Sequence, residues 1–229
     1  MNSLYDYFLR GTHKPINKWD HYFEIYERHL RGLTSRGITL VEIGILGGGS
    51  LQMWKWYFGR DARIYGVDIN ADCKAHEEAQ IEVFIGDTAD RGFCEHVLSR
   101  TGPLDVVIDD GGHKASEQLT AFEVLYPAVR EGGVYIVEDT HASFWSEFID
   151  TPDKKTFLQF AHEKVLDLHG WTRQQEHWGR FGSNPDNRLQ ELTVSEFCRT
   201  TGSIHFYDSV VAFEKARRRE PSHQVRGAG

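Results

Sequence analysis

Cysteine is scarce in this chain, three in 229 residues. Cys73, Cys94 and Cys198 stand far apart with no Cys-x-x-Cys pair. That spacing excludes a thiolate metal centre and a dithiol redox motif, and it fits a reduced, cytoplasmic setting. Long apolar runs are missing too. None reaches the length of a bilayer crossing, and residues 1–18 hold no apolar signal core, so no membrane association is expected. Positive charge is also in deficit, 26 Lys and Arg against 34 Asp and Glu, for a net charge of −8. A broad nucleic-acid-binding face is therefore not expected. The one basic cluster, Lys215-Ala-Arg-Arg-Arg219, opens a Pro/Ser/Gly-containing end, and 216–229 reads as a solvated, flexible tail. Two nucleotide signatures are absent. The dinucleotide fingerprint GxGxxG begun at Gly44 needs glycine at 46, where Leu46 stands, and no Walker A lysine follows. This weighs against a nicotinamide oxidoreductase and excludes a P-loop. No obvious 2-His-1-carboxylate set is visible, which argues against a non-haem iron oxidoreductase.

What remains is a hydrophobic content of 40%, enough for one domain with a sizeable core. Short apolar runs alternate with amphipathic stretches. The runs are 39–45, 63–69, 81–85, 104–109 and 133–138. The stretches are 50–58, 72–78, 90–99 and 116–129, the last closed by Gly132-Gly133. Such alternation predicts an α/β fold, a mostly parallel sheet with helices on both faces. Ser203–Tyr207 and Val210–Phe213, separated by Asp208-Ser209, predict a C-terminal antiparallel hairpin. Residues 1–37 read as a helical cap whose apolar face carries Trp19, Tyr22, Phe23, Tyr26 and Leu30. The main body is then 38–215. Within it 141–192 breaks the rhythm with Phe144, Trp145, Phe148, Trp171 and Trp178, and reads as a substrate lid containing a helix at 153–168.

Two of the runs end in paired acids. Val106–Ile108 leads into Asp109-Asp110-Gly111-Gly112-His113, and Val134–Val137 into Glu138-Asp139. Ligands of open α/β sheets bind at the C-terminal ends of the strands. If the two strands are neighbours, Asp110, Glu138 and Asp139 converge and require a cation. Oxygen donors suit Mg²⁺, Mn²⁺ or Ca²⁺. His113 lies three residues past Asp110, within reach of a general base's role, and His141 is a second candidate. The plainer alternative for Asp109, Asp110 and His113 is loop hydrogen bonding and helix capping. The first strand ends in Glu42-x-Gly44 and a looser glycine cluster before Ser50. This suits S-adenosylmethionine, which has no phosphate to cradle. Asp68 at the end of the second strand is placed to accept from the ribose hydroxyls. Gly86-Asp87-Thr88 at the end of the third is placed to contact adenine. A helix carrying Tyr22, together with Thr12 and His13, is positioned to close over that cofactor.

With these segments the chain resembles the class I S-adenosylmethionine-dependent methyltransferases. More narrowly it resembles the metal-dependent sugar O-methyltransferases of natural-product biosynthesis, the group of the mycinamicin and demethylmacrocin enzymes and their cephalosporin-hydroxylase-like relatives. The resemblance implies a Rossmann-like, seven-stranded sheet with a terminal antiparallel hairpin. It implies Mg²⁺ (or Mn²⁺) on Asp110, Glu138 and Asp139, and His113 as general base beside Asp110. It implies a cofactor site lined by Thr12, Glu42, Gly44, Ser50, Asp68, Gly86, Asp87 and Asp109. The implied substrate is a glycoside or nucleotide sugar, and the implied assembly a homo-oligomer. A catechol or other small diol is the rival acceptor, and a non-catalytic cofactor-binding scaffold the rival role.

Overall fold

The computed structural model describes residues 3–11, 14–34, 36–174, 192–222 and 226–227. Five strands, β1 (Thr39–Ile43), β2 (Arg63–Asp68), β3 (Ile81–Ile85), β4 (Leu104–Asp109) and β5 (Val129–Val137), run parallel. The hairpin β6 (Thr201–Tyr207) and β7 (Val210–Lys215) inserts β7 antiparallel beside β5. The sheet order is β3-β2-β1-β4-β5-β7-β6. β1 and β4 sit centrally, which is why they read as unbroken apolar runs: both of their faces are covered. One face packs on α1 (Leu4–Leu9), α2 (Tyr22–Leu30) and α3 (Gly49–Phe58), around Tyr26, Leu51, Trp54 and Ile108. The other packs on α4 (Arg91–Thr101), α5 (Ala115–Leu125) and α6 (Phe157–Leu168), around Phe122, Tyr135, Phe157 and Phe213. The expected α/β architecture is thus present, hairpin included. No helix among the described residues is long and apolar enough to cross a membrane.

Several local expectations change. Residues 72–78 form no α-helix. A 3₁₀ segment, Ala71–His76, takes their place, begun by the Asn70 side chain accepting from Asp72 N at 3.0 Å. Gly132-Gly133 does not cap α5, which ends at Leu125 and passes through a Pro-containing 3₁₀ turn into β5. The glycines lie inside β5, where pairing with β4 jumps from Leu104↔Val129 to Val106↔Val134. Gly132 takes φ +83°, and a Cβ on Gly133 would sit 2.4 Å from Asp105 O. Their purpose is a bulge that re-aims the C-terminal half of β5. Trp19 is not on the α2 apolar face; it precedes the helix and is 57% exposed. The basic run is held down as far as Arg218. Lys215 is buried in β7, and Arg218 Nη1 donates to Leu168 O at 2.9 Å with its guanidinium over Trp171.

The segment read as a lid divides. α6 is structural: Phe157 and Ala161 are fully buried, and Phe122 packs on Phe157 and Phe160. The described part that borders the strand ends is 140–150. Its last residue, Asp150, caps α5 by accepting from Ser116 N at 2.9 Å and Ser116 Oγ at 2.6 Å. Trp171 is buried, and Trp178 lies outside the described residues, as do Thr12 and His13.

Candidate active site

Because β4 lies between β1 and β5, the two acidic pairs emerge side by side. Asp110 N donates to Ile43 O at 2.9 Å and Glu138 N to Asp109 O at 2.8 Å, extending the ladder one residue past each strand. A cavity of about 390 Å³ opens at these ends. Alternation along the strand then separates neighbours. Asp110 lines the cavity, whereas Asp109 is buried on the other side, accepting from Tyr135 Oη at 3.1 Å. Burial pushes the Asp109 carboxyl up to about 7, against the Tyr135 hydroxyl and the Gly111 N–H, which lower it.

The centre of the acid cluster holds a group the sequence reading missed. Lys18 reaches in from the loop before α2, its side chain 3% exposed. Its Nζ lies 2.6 Å from Asp110 Oδ2, 3.0 and 3.2 Å from the two Glu138 oxygens, and 3.6 Å from Glu42 Oε1. Tyr26 Oη donates to Glu138 as well. Burial pulls the Lys18 ammonium down, but Asp110, Glu138 and Glu42 hold it well above the ordinary lysine value. Burial pushes Glu138 up to about 8, reinforced by Asp110 and opposed by Lys18 and Tyr26. Asp110 is raised by burial too, with Lys18 opposing. One ammonium thus faces three carboxyl groups whose charged forms burial disfavours, and a further cation would favour those charged forms.

Asp139 and His113 both hold left-handed backbone, φ +50° and +59°. Such conformations cost of order 1–3 kcal/mol each and cluster at functional sites. They turn the two side chains towards each other: His113 Nε2 lies 3.4 Å from Asp139 Oδ2, and Tyr22 Oη donates to Asp139 Oδ1. His141 Nδ1 stands 4.0 Å from Asp139. Donor atoms of Asp110, His113 and Asp139 lie within 4.8 Å of one another. Glu138, the third member of the expected trio with Asp110 and Asp139, is engaged by Lys18 and Tyr26. His113 Nδ1 and His141 Nδ1 are buried without a hydrogen-bond partner. Two orphaned nitrogens beside a cluster of carboxyl groups fit a divalent ion bound here, to which Asp110 and Asp139 would offer hard oxygen donors.

Gly44, Asp68, Gly86 and Asp87 line the same cavity. Gly44 has φ +81°, and a Cβ there would fall 2.0 Å from Asp110 O. Gly44→Ala is therefore expected to cost about 2 kcal/mol or more, from left-handed strain and the clash together. Urea unfolding checks this. Asp68 accepts from the N–H groups of Ile45, Leu46 and Asn70 at 2.9–3.2 Å. Burial acts to raise its carboxyl, but these three donors outweigh it and hold the carboxyl below the ordinary value. Glu42 and Ser50 are not on the cavity wall: Ser50 Oγ donates to Glu42 Oε2 at 2.7 Å, both side chains buried. Every β1 residue is buried on both faces, so Glu42 faces the interior of the site from behind, towards Lys18. The glycine-rich rim, with acids following three strands and no Walker A lysine, fits S-adenosylmethionine.

Residues 41–140 match the family described as Methyltransferase domain. The chain carries a methyltransferase domain at the core of this fold. It is 36% identical over 203 residues to the 8-demethyl-8-alpha-L-rhamnosyl tetracenomycin-C 2'-O-methyltransferase of Streptomyces olivaceus, covering 85% of this chain and 50% of that protein. It is 40% identical over 203 residues to the Mycinamicin VI 2''-O-methyltransferase of Micromonospora griseorubida, covering 85% and 48%. The solved structure of MycE methyltransferase in complex with Mg, SAH and Mycinamycin VI superposes with a TM-score of 0.75 at 29% identity, covering 96% of this chain and 54% of that one. The chain spans about half the length of the curated relatives it matches.

Proposed function

We propose that this chain is an S-adenosylmethionine-dependent O-methyltransferase. It acts on a sugar hydroxyl of a natural-product glycoside or nucleotide sugar, with Mg²⁺ or Mn²⁺ held by Asp110, Glu138 and Asp139. The observation that carries this is the meeting of Asp110, His113 and Asp139 in the cavity that also contains Gly44, Asp68 and Asp87. The sugar methyltransferases named above support the acceptor class. When bound, the cofactor supplies an electrophilic methyl group, and the divalent ion a Lewis acid that lowers the acceptor hydroxyl's pKa.

The chain's own residues do the rest. Asp68 and Asp87 fix the cofactor at the ends of β2 and β3. His113, whose Nε2 stands 3.4 Å from Asp139 Oδ2, takes the hydroxyl proton as general base. Tyr22 and Lys18 hold the two carboxylates that orient the site. Exposed Trp19 and Trp145, each against the His141 ring, form an aromatic rim on which a sugar face can pack. Asp68→Asn is expected to weaken S-adenosylhomocysteine binding by about 1.5–3 kcal/mol, the worth of a hydrogen bond to a charged group. Calorimetry checks this.

The activity test uses labelled S-adenosylmethionine with rhamnosyl glycosides, nucleotide sugars and catechols, with and without Mg²⁺. Transfer to a sugar hydroxyl that needs the ion and is lost in Asp110→Asn supports the proposal. Transfer to catechols alone contradicts the acceptor class, and transfer to nothing contradicts the activity.

A further inference from the structure

The fold assembles a 2-His-1-carboxylate set that no sequence spacing reveals. Ser203, His205 and Tyr207 alternate onto one face of β6, and Glu214 lies opposite Ser203 on β7. α2 lays His29 across them. His29 Nδ1 is 2.8 Å from Glu214 Oε1, and His205 Nε2 is 3.4 Å from Glu214 Oε2. One donor atom from each of the three residues lies within 4.8 Å of the others. None of the three lines the cavity at the strand ends.

We propose that His29, His205 and Glu214 form a second metal site, for a zinc-like divalent ion. Two imidazoles and one carboxylate suit Zn²⁺ and poorly suit Mg²⁺. Tetrahedral ligands about 2.0–2.1 Å from zinc stand roughly 3.3 Å apart. The observed separations reach that spacing through small side-chain rotations. The surrounding groups are those a histidine ligand needs. His29 Nε2 lies 2.9 Å from Tyr207 Oη, and a hydroxyl can accept as readily as donate. With Nε2–H donating to Tyr207, the Nδ1 lone pair is free for an ion. Burial lowers the His29 pKa, keeping the ring neutral as a ligand must be. Ser203 Oγ donates to Glu214 Oε2 at 2.7 Å and orients that carboxylate; its 2.9 Å contact with His205 Nε2 is the one an ion would replace. The His205 and Glu214 side chains are 34% and 42% exposed, so water can fill a fourth position.

The site has a structural consequence. Tyr22, Tyr26 and His29 follow one face of α2 at i, i+4 and i+7. The first two donate to Asp139 and Glu138. An ion on His29 pins the same helix to the terminal hairpin and fixes the register of those hydroxyls.

Zinc titrated calorimetrically into EDTA-treated protein tests this, in an Asp110→Asn background that disables the strand-end site. One saturable equivalent with a higher thermal midpoint is expected, and Mg²⁺ should not reproduce it. Adding His205→Ala or Glu214→Gln should remove that equivalent, with the fold checked by circular dichroism. Tyr207→Phe should weaken binding about 10–100-fold. Absence of a saturable equivalent, or its retention in both His205→Ala and Glu214→Gln, overturns the proposal. Neither cofactor nor acceptor enters the experiment, so its outcome is independent of the methyltransferase reading.

Discussion

Lys18→Met is expected to destabilise the metal-free protein by about 3–5 kcal/mol, because removing one partner of a buried ion pair leaves uncompensated charge. The ammonium touches Asp110 and Glu138 directly and stands near Glu42, with almost no water access. The same substitution should make the protein gain more stability from a divalent ion than the wild type does. The carboxylates left without Lys18 are better ligands, and an ion that binds the folded state stabilises it in proportion to its affinity. Urea unfolding of both proteins, with EDTA and with Mn²⁺, reads the two effects together. A wild-type-like unfolding curve for Lys18→Met in EDTA would show that Lys18 is not the counter-charge of the cluster.

His113→Ala is expected to lower kcat by about 10²–10⁴-fold, the usual contribution of a positioned base. Binding of S-adenosylhomocysteine should change little, since Asp68 ends β2 and Asp87 follows β3, whereas His113 is in the turn after β4. His113 is in the left-handed region, so a second variant, His113→Asn, preserves a residue that tolerates this backbone. Both variants should fail in the same way. If kcat survives in both while His141→Ala abolishes it, His141 is the base instead. It stands close enough to Asp139 for that role.

Much of this fold could be read from the chain because parallel strands buried on both faces leave apolar, β-branched runs. Val106–Ile108 and Val134–Val137 are such runs, and the acids following them stand where the chain leaves the sheet. Lys18 left no such mark. A lysine in a loop is ordinarily solvated, and this one meets Asp110 across 92 positions of sequence. Glu42 and Asp109 leave the cavity wall for different reasons: Asp109 points to the opposite face from Asp110, towards Tyr135, while Glu42 lies a layer deeper, held by Ser50 and near Lys18. Gly132 and Gly133 resemble a helix stop, yet the bulge they form depends on β4 lying alongside. The His29 and Glu214 pair is separated by 185 positions and exists only because β7 inserts between β5 and β6.

The central claim is that the strand ends hold S-adenosylmethionine beside a divalent ion. Calorimetric titration of S-adenosylhomocysteine into EDTA-treated protein, followed by Mg²⁺ into the resulting complex, tests it most directly. The account predicts saturable micromolar binding of the nucleoside, then one equivalent of Mg²⁺ that is lost in Asp110→Asn. Absence of nucleoside binding both with and without Mg²⁺ would contradict it.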